Sequence, residues 1–226
     1  MNDLIVVAGA THREGFIDEY EQQLKAAGIE FHLEPLHNLP AGANSITMRR
    51  RIEYIRSIAT RFKDYKNLVM TDAWDVLFYG DRDAAMAKIP DTMLVSAERN
   101  CYPEPNLMPR FMSTSPWRFA NNGMIAGYPE YILHWLEWAE QMPDLEILDQ
   151  AWFNRRAAEN SDCVAFDEVT NLFYVVSATQ EDGALQFKNG LPWNSRYDTY
   201  PNFLHFSGKC PDDRFRALLK GELGAL

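Results

Sequence analysis

At 226 residues, 46% of them hydrophobic, the chain is long enough to bury one sizeable core, and a single domain over 1–226 is predicted. A formal charge of −10 works against nucleic acid as a partner, because binding phosphates takes a field of the opposite sign. No apolar stretch approaches the roughly 18 to 20 residues of a membrane helix, and no basic segment precedes the first apolar run, so neither a membrane span nor export is expected.

Leu4 to Ala8 is a short apolar run of strand composition, and Glu14 to Ala27 is predicted as a helix closed by Gly28. Ile29 to Leu33 alternates like a second strand, and Pro35 to Asn44 is a loop. A basic helix follows between Arg49 and Lys66, with Ile52, Ile55, Ile58, Ala59 and Phe62 at helical spacing. Its cationic side is either a solvated face or, at its start, a place where Arg49 or Arg50 reaches a diphosphate. Leu68 to Thr71 is a third strand that runs into Asp72-Ala-Trp-Asp75, which completes a βαβαβ opening with parallel strands. In such an architecture ligands collect beyond the carboxyl ends of the strands.

Met93 to Ser96 is predicted as a further strand, and Asn100 to Pro116 as a long loop carrying four prolines, of the kind that forms a wall or lid. Phe119 to Tyr128 is a strand region, Pro129 to Gln141 and Asp149 to Ala158 are helices, and Leu172 to Val176, Ala184 to Phe187 and Phe203 to Phe206 are short strands of a mixed sheet. Cys101, Cys163 and Cys210 form no CxxC pair, which points to a reducing, cytoplasmic setting.

Asp72 and Asp75 stand just past a buried strand and can converge on one divalent cation if the chain turns between them. Hard cations such as Mg2+ or Mn2+ take oxygen ligands and are commonly shared with substrate phosphates. The same pair could equally be turn formers or caps. His205, alone on an apolar strand that ends in Gly208-Lys209, could be a third ligand or a core histidine. Gly208 would let backbone approach a phosphate and Lys209 would neutralise it.

These features recur in a known order. Thr71-Asp-Ala-Trp-Asp-Val-Leu-Phe78, Val95-Ser-Ala-Glu98, Cys101-Tyr-Pro103, Arg118-Phe-Ala-Asn-Asn-Gly-Met-Ile-Ala-Gly127, Leu148-Asp-Gln150 and Tyr197-Asp-Thr-Tyr-Pro201 with His205 resemble motifs of one enzyme group. That group is the glycosyltransferase domain of procollagen lysyl hydroxylases and related procollagen glycosyltransferases. The resemblance implies a GT-A fold, a Rossmann-like mixed sheet flanked by helices, with a UDP-sugar donor, Mn2+ (or Mg2+) as metal and retention at the anomeric carbon.

Carried over by position, it implies Asp72, Asp75 and His205 as metal ligands, with Asp72 also touching the nucleotide. Thr11 would face the uracil and Trp74 would pack beside the nucleoside unless it is core, whereas Arg50, Gly208 and Lys209 are expected at the diphosphate from their own chemistry and not from the resemblance. Asn121, Asn122 and Gly123 would approach the donor sugar, and Asp149 with Gln150 the anomeric carbon; on its own, Asp149 reads as a helix N-cap. Tyr102 stands where the family has tryptophan, Asn122 where it has serine, and the acidic run before Gln150 is shorter. The acceptor is left open among glycan, protein, small molecule and modified DNA, with collagen disfavoured. A nucleotide-sugar hydrolase and a non-catalytic binding module are the alternatives.

Overall fold

The computed structural model describes residues 2–10, 13, 15–36, 46–159, 164–176 and 183–207. In chain order these form β1 (Asn2–Ala10), α1 (Ile17–Ala26), β2 (Glu30–Pro35), α2 (Met48–Arg61), β3 (Tyr65–Asp72), β4 (Val76–Phe78) and α3 (Arg82–Met86). Next come β5 (Leu94–Glu98), a 3-10 helix (Pro105–Arg110), β6 (Phe119–Gly127), α4 (Pro129–Ala139) and α5 (Asp149–Ala158). The short strands β7 (Ala165–Phe166), β8 (Phe173–Val175), β9 (Leu185–Lys188), β10 (Leu191–Asn194) and β11 (Phe203–His205) complete the order.

The main sheet runs β2-β1-β3-β6-β5-β7, and a second sheet runs β4-β11-β8. The parallel pairing of β1 with β2 and β3 is the predicted βαβαβ opening, whereas β6 runs antiparallel to both β3 and β5. Helices cover both faces, so the central strands are apolar on both sides and read as continuous runs. Leu4, Val6 and Ala8 of β1 pack toward α1 with Tyr20 and Leu24, while Ile5 and Val7 pack toward α2 and α4 with Ile52, Ile55 and Trp135.

Two predicted helices are too long. The first begins at Ile17 rather than Glu14, and the basic helix ends at Arg61, because Tyr65 and Lys66 already belong to β3 and pair along β1. The predicted loop contains the 3-10 helix, and β4, α3, β7 and β10 were not anticipated. Strands of two or three residues carry too little pattern to be seen without their partners.

The cationic side of α2 is largely neutralised. Arg49 pairs with Glu146, Arg56 with Glu140 at 2.7 Å and Arg61 with Glu34 at 2.7 Å. Among the described residues no helix is long and apolar enough to cross a membrane.

Candidate active site

The carboxyl end of β3 carries the acidic pair, and strand pairing delivers the histidine. β11 runs antiparallel to β4 with His205 opposite Val76, and the Phe206 amide donates to the Asp75 carbonyl at 2.8 Å. His205 therefore comes to lie beside a residue distant in sequence. One ligand atom from each of Asp72, Asp75 and His205 lies within 4.8 Å of the others. His205 Nε2 is 3.4 Å from Asp75 and 3.5 Å from Asp72, and it has no hydrogen-bond partner among the described residues although it is buried.

Asn121 fixes which imidazole nitrogen faces the acids. Its Oδ1 accepts from the Gly123 amide at 3.0 Å, so the His205 Nδ1 that also lies 3.0 Å from Oδ1 must carry a proton. Nε2 is left toward Asp72 and Asp75, the arrangement in which a ligating histidine is oriented through its other nitrogen. Burial alone would lower the imidazole, but the charges of Asp75 and Asp72 outweigh it and raise it to about 9. Partial loss of water holds Asp72 above the ordinary carboxylate range, with His205 pulling down and Asp75 pushing up. A divalent cation would relieve both strains, since two carboxylates and an orphaned imidazole nitrogen are a suitable donor set for Mn2+ or Mg2+.

The Asn-Asn-Gly segment reaches this cluster through an irregularity in the sheet. Between the pairs Val95–Ile125 and Ala97–Ala120, Ser96 alone of β5 faces residues 121–124 of β6. The surplus bulges β6 away from the flat ladder, a device that re-aims side chains beside active sites. Ser96 Oγ pins the bulge by donating to the Asn121 carbonyl at 2.6 Å. A Cβ on Gly123 would lie 2.5 Å from His205 Nδ1 and 2.9 Å from Asp72 Oδ2, so only glycine lets the strand pass this close.

A second polar cluster adjoins the first. Arg51 Nε donates to Asp149 Oδ2 at 2.9 Å and its Nη2 donates to the Asn122 carbonyl, with both side chains of the ion pair largely buried. Asp149 Oδ1 accepts from the Gln150 amide at 2.7 Å. Asp149 is thus not an N-cap: Leu148 holds that position, and Asp149 is the first residue of α5. Gln150 Nε2 donates to Glu98, a buried carboxyl that loss of water pushes up to about 7 against hydrogen bonds from Gln150 and Asn121. The starts of α2 and α5 are held side by side by a short backbone ladder, Met48 to Ile147, Arg49 to Leu145 and Asp149 to Ile46, each 2.9 Å.

The segment following β5 is a wall built onto α5. Asn154 Nδ2 donates to the Tyr102 carbonyl at 3.0 Å, and Arg155 clasps Glu104 with bonds of 2.6 and 2.8 Å. Farther along, Trp117 is fully buried beneath Arg99, whose guanidinium carbon lies 4.1 Å from the ring centre, and Tyr102 is exposed.

Of the residues expected from the sequence, Asp72, Asp75, His205 and Asn121 come together, and Asn122, Gly123, Asp149 and Gln150 stand beside them. Trp74 packs partly buried against the α1-side core, and its carbonyl accepts from the Phe16 amide at 2.8 Å. Arg50 is exposed, with its amide donating to Thr47; the arginine of that helix that enters the polar cluster is Arg51. Thr11, Gly208 and Lys209 lie outside the described residues. Arg51 and Glu98 were not singled out as site residues, although Arg51 stands four positions before the buried Ile55 and so shares its face of the helix.

No curated protein matches the sequence. Among solved structures, the fold is similar to a glycosyltransferase involved in glycosylation of the major capsid of PBCV-1, with TM-score 0.50, 12% identity, and coverage of 96% of this chain and 98% of that one. It is also similar to the galactosyltransferase LgtC in complex with donor and acceptor sugar analogues, with TM-score 0.51, 14% identity, and coverage of 99% and 97%. At these identities the likeness concerns the fold, which is that of GT-A glycosyltransferases. The sequence profile described as PLOD GT domain matches residues 1–212. With the profile covering nearly the whole chain and the fold in agreement, the protein belongs to the PLOD GT domain family of glycosyltransferases.

Proposed function

We propose that the protein, acting as one domain in a reducing compartment such as the cytoplasm, transfers a hexose from a UDP-sugar to an acceptor hydroxyl with retention of anomeric configuration. The observation that carries this reading is the convergence of Asp72, Asp75 and His205 at the end of β3, directly beside the Arg51–Asp149 pair. The three ligands would hold Mn2+ or Mg2+, which when bound neutralises charge developing on a diphosphate leaving group. Asn121 orients His205 for this through Nδ1.

Asp149 and Glu98 place carboxylates around the second cluster, where they would stabilise positive charge at the anomeric carbon. Gln150, bonded to Glu98, and Arg51, bonded to Asp149, hold those carboxylates in position. Both Asp149 oxygens are engaged, by the Gln150 amide and by Arg51, which favours attack by the acceptor hydroxyl from the face that UDP leaves over a covalent intermediate on that carboxylate. Thr11 and Trp74 are assigned to the nucleotide on the resemblance, and Arg50, Gly208 and Lys209 to the diphosphate on their charge and backbone freedom. A hexose is supported by the galactosyltransferase among the structural neighbours, and the acceptor is a hydroxyl compound of open class.

Titration calorimetry with UDP, in Mn2+ and in EDTA, tests the metal site. UDP is expected to bind more tightly with Mn2+, and Asp75→Ala to abolish the difference; equal affinity in both conditions would overturn the assignment. UDP release with and without candidate acceptors then tests transfer, since acceptor-independent release would mean hydrolysis and no release would mean binding alone.

A further inference from the structure

Of the three residues that converge at the end of β3, two are placed by strand ladders and one is not. Asp72 closes β3 and pairs with Gly9 of β1, and His205 closes β11 and pairs with Val76 of β4. Asp75 stands in the bend between the end of the β3 ladder at Asp72 and the start of the β4 ladder at Val76. Metal–ligand distances hold within about 0.2 Å, so a ligand on such a bend needs its backbone fixed from elsewhere.

Two amides fix it. The Phe16 N–H donates to the Trp74 carbonyl and the Phe206 N–H donates to the Asp75 carbonyl, each at 2.8 Å. These carbonyls belong to the peptide planes before and after the Asp75 Cα, and two fixed planes set the direction of the Cα–Cβ bond between them. The two donors are themselves joined. The Phe16 and Phe206 rings are buried with centres 5.5 Å apart, in one core cluster with Leu77 of β4. Gly15 lets Phe16 come this close: its φ is +65°, and a Cβ there would collide with the Trp74 carbonyl oxygen and lie 2.9 Å from the carbonyl carbon. Both are backbone atoms, so no side-chain rotation relieves the clash.

We propose that Gly15 and Phe16, with Phe206, form a clamp that positions Asp75 as a metal ligand. They are positioning residues, acting through the backbone on either side of Asp75. The inference rests on the metal site proposed above, and it gives the turn before α1 a part in holding the cation beyond attaching that helix to the sheet.

The test is calorimetric titration of Mn2+, alone and with UDP present, on the wild type, Gly15→Ala, Phe16→Leu and Gly28→Ala. Gly28, just past the other end of α1, has φ +70° and nothing within 4 Å of where a Cβ would stand, so Gly28→Ala carries the same kind of backbone penalty without the contact. Gly28→Ala should lower Tm by roughly 2 to 8 °C, and Gly15→Ala by at least as much. Only Gly15→Ala of these two should weaken Mn2+ binding, by about tenfold or more, the loss that follows when a group orienting a metal ligand is removed. Phe16→Leu keeps the amide and most of the buried bulk but loses the ring contact with Phe206. It should weaken Mn2+ binding about threefold, half of a tenfold effect in free energy, and it decides the matter if Gly15→Ala does not fold. Mn2+ affinity in the folded clamp variants equal to that of the wild type, or an equal loss in Gly28→Ala, would overturn the clamp and reduce the contact to an anchor for α1, with the metal site intact. A wild type that binds no Mn2+ under either condition would overturn the metal reading and the clamp with it.

Discussion

Replacing Asp149 by asparagine isolates the charge that the second cluster is built around. Both carboxylate oxygens are in use, Oδ1 by the Gln150 amide at 2.7 Å and Oδ2 by Arg51 Nε at 2.9 Å. An asparagine has one acceptor and one donor at its end. Whichever way it turns, its NH2 group faces either the Gln150 N–H or the Arg51 Nε–H, and a buried donor meets a donor. The guanidinium, with only 14% of the Arg51 side chain exposed, also loses its ion-pair partner. Breaking one side of a buried pair costs about 3 to 5 kcal/mol, and we expect about 3 because Asp72 still supplies negative charge nearby.

For a chain of this size that corresponds to a fall in Tm of roughly 6 to 12 °C. Urea unfolding of Asp149→Asn, Arg51→Met and the double variant measures it. The double variant should be less destabilised than the sum of the two single ones by about 2 kcal/mol. If Asp149→Asn stays within about 1 kcal/mol of the wild type and the effects add, the pair is not a clamp. In folded protein below the new Tm, kcat is expected to drop about 100-fold while the affinity for Mn-UDP holds.

Gly123→Ala should displace His205, since the added carbon falls 2.5 Å from Nδ1, and calorimetry should show the Mn2+ enhancement of UDP binding lost. Retained enhancement would mean that His205 is not a ligand. Glu98 offers a pH test. Its carboxyl is raised from 4.5 to about 7 in the fold, so the native state binds the extra proton, and the stability it contributes is complete below about 4.5 and lost as pH rises through about 7. Relative to Glu98→Gln, the wild type should therefore lose up to about 3 kcal/mol between pH 4.5 and 8 in urea unfolding, and a flat difference would refute the burial argument. Finally, the amides of Asn100 to Pro116 should gain protection from hydrogen exchange at saturating donor, and unchanged exchange there would remove this wall from the site.

Several parts of the architecture were legible without coordinates because their signals are local. The run Leu4 to Ala8 is apolar on both faces and can only be an interior strand, and helix α5 runs from Asp149 to Ala158 as its pattern predicts. The acidic pair was legible for the same reason, since Asp72 and Asp75 follow a buried strand in a fold whose ligands gather at strand ends.

The orientation of the three successive arginines was harder to read. On a helix each residue turns about 100° from the last, so among Arg49, Arg50 and Arg51 one faces inward, and the apolar spacing of Ile52 and Ile55 already favoured Arg51. What that arginine meets is decided by the ladder that sets α2 against α5 and brings Asp149 to it from nearly a hundred positions away in the chain.

Sequence by itself thus determined the longer strands and helices, where the acidic pair stands and, through ordered motifs, the family. Tertiary structure alone decided the rest. The pairing of β11 with β4 puts His205 beside Asp75, the bulge in β6 turns Asn121 and Gly123 toward it, and the packing of α2 against α5 buries Arg51 on Asp149. Hydrophobic periodicity is a property of neighbours along the chain, whereas an orphaned buried donor exists only when segments distant in sequence are packed together and water is excluded between them.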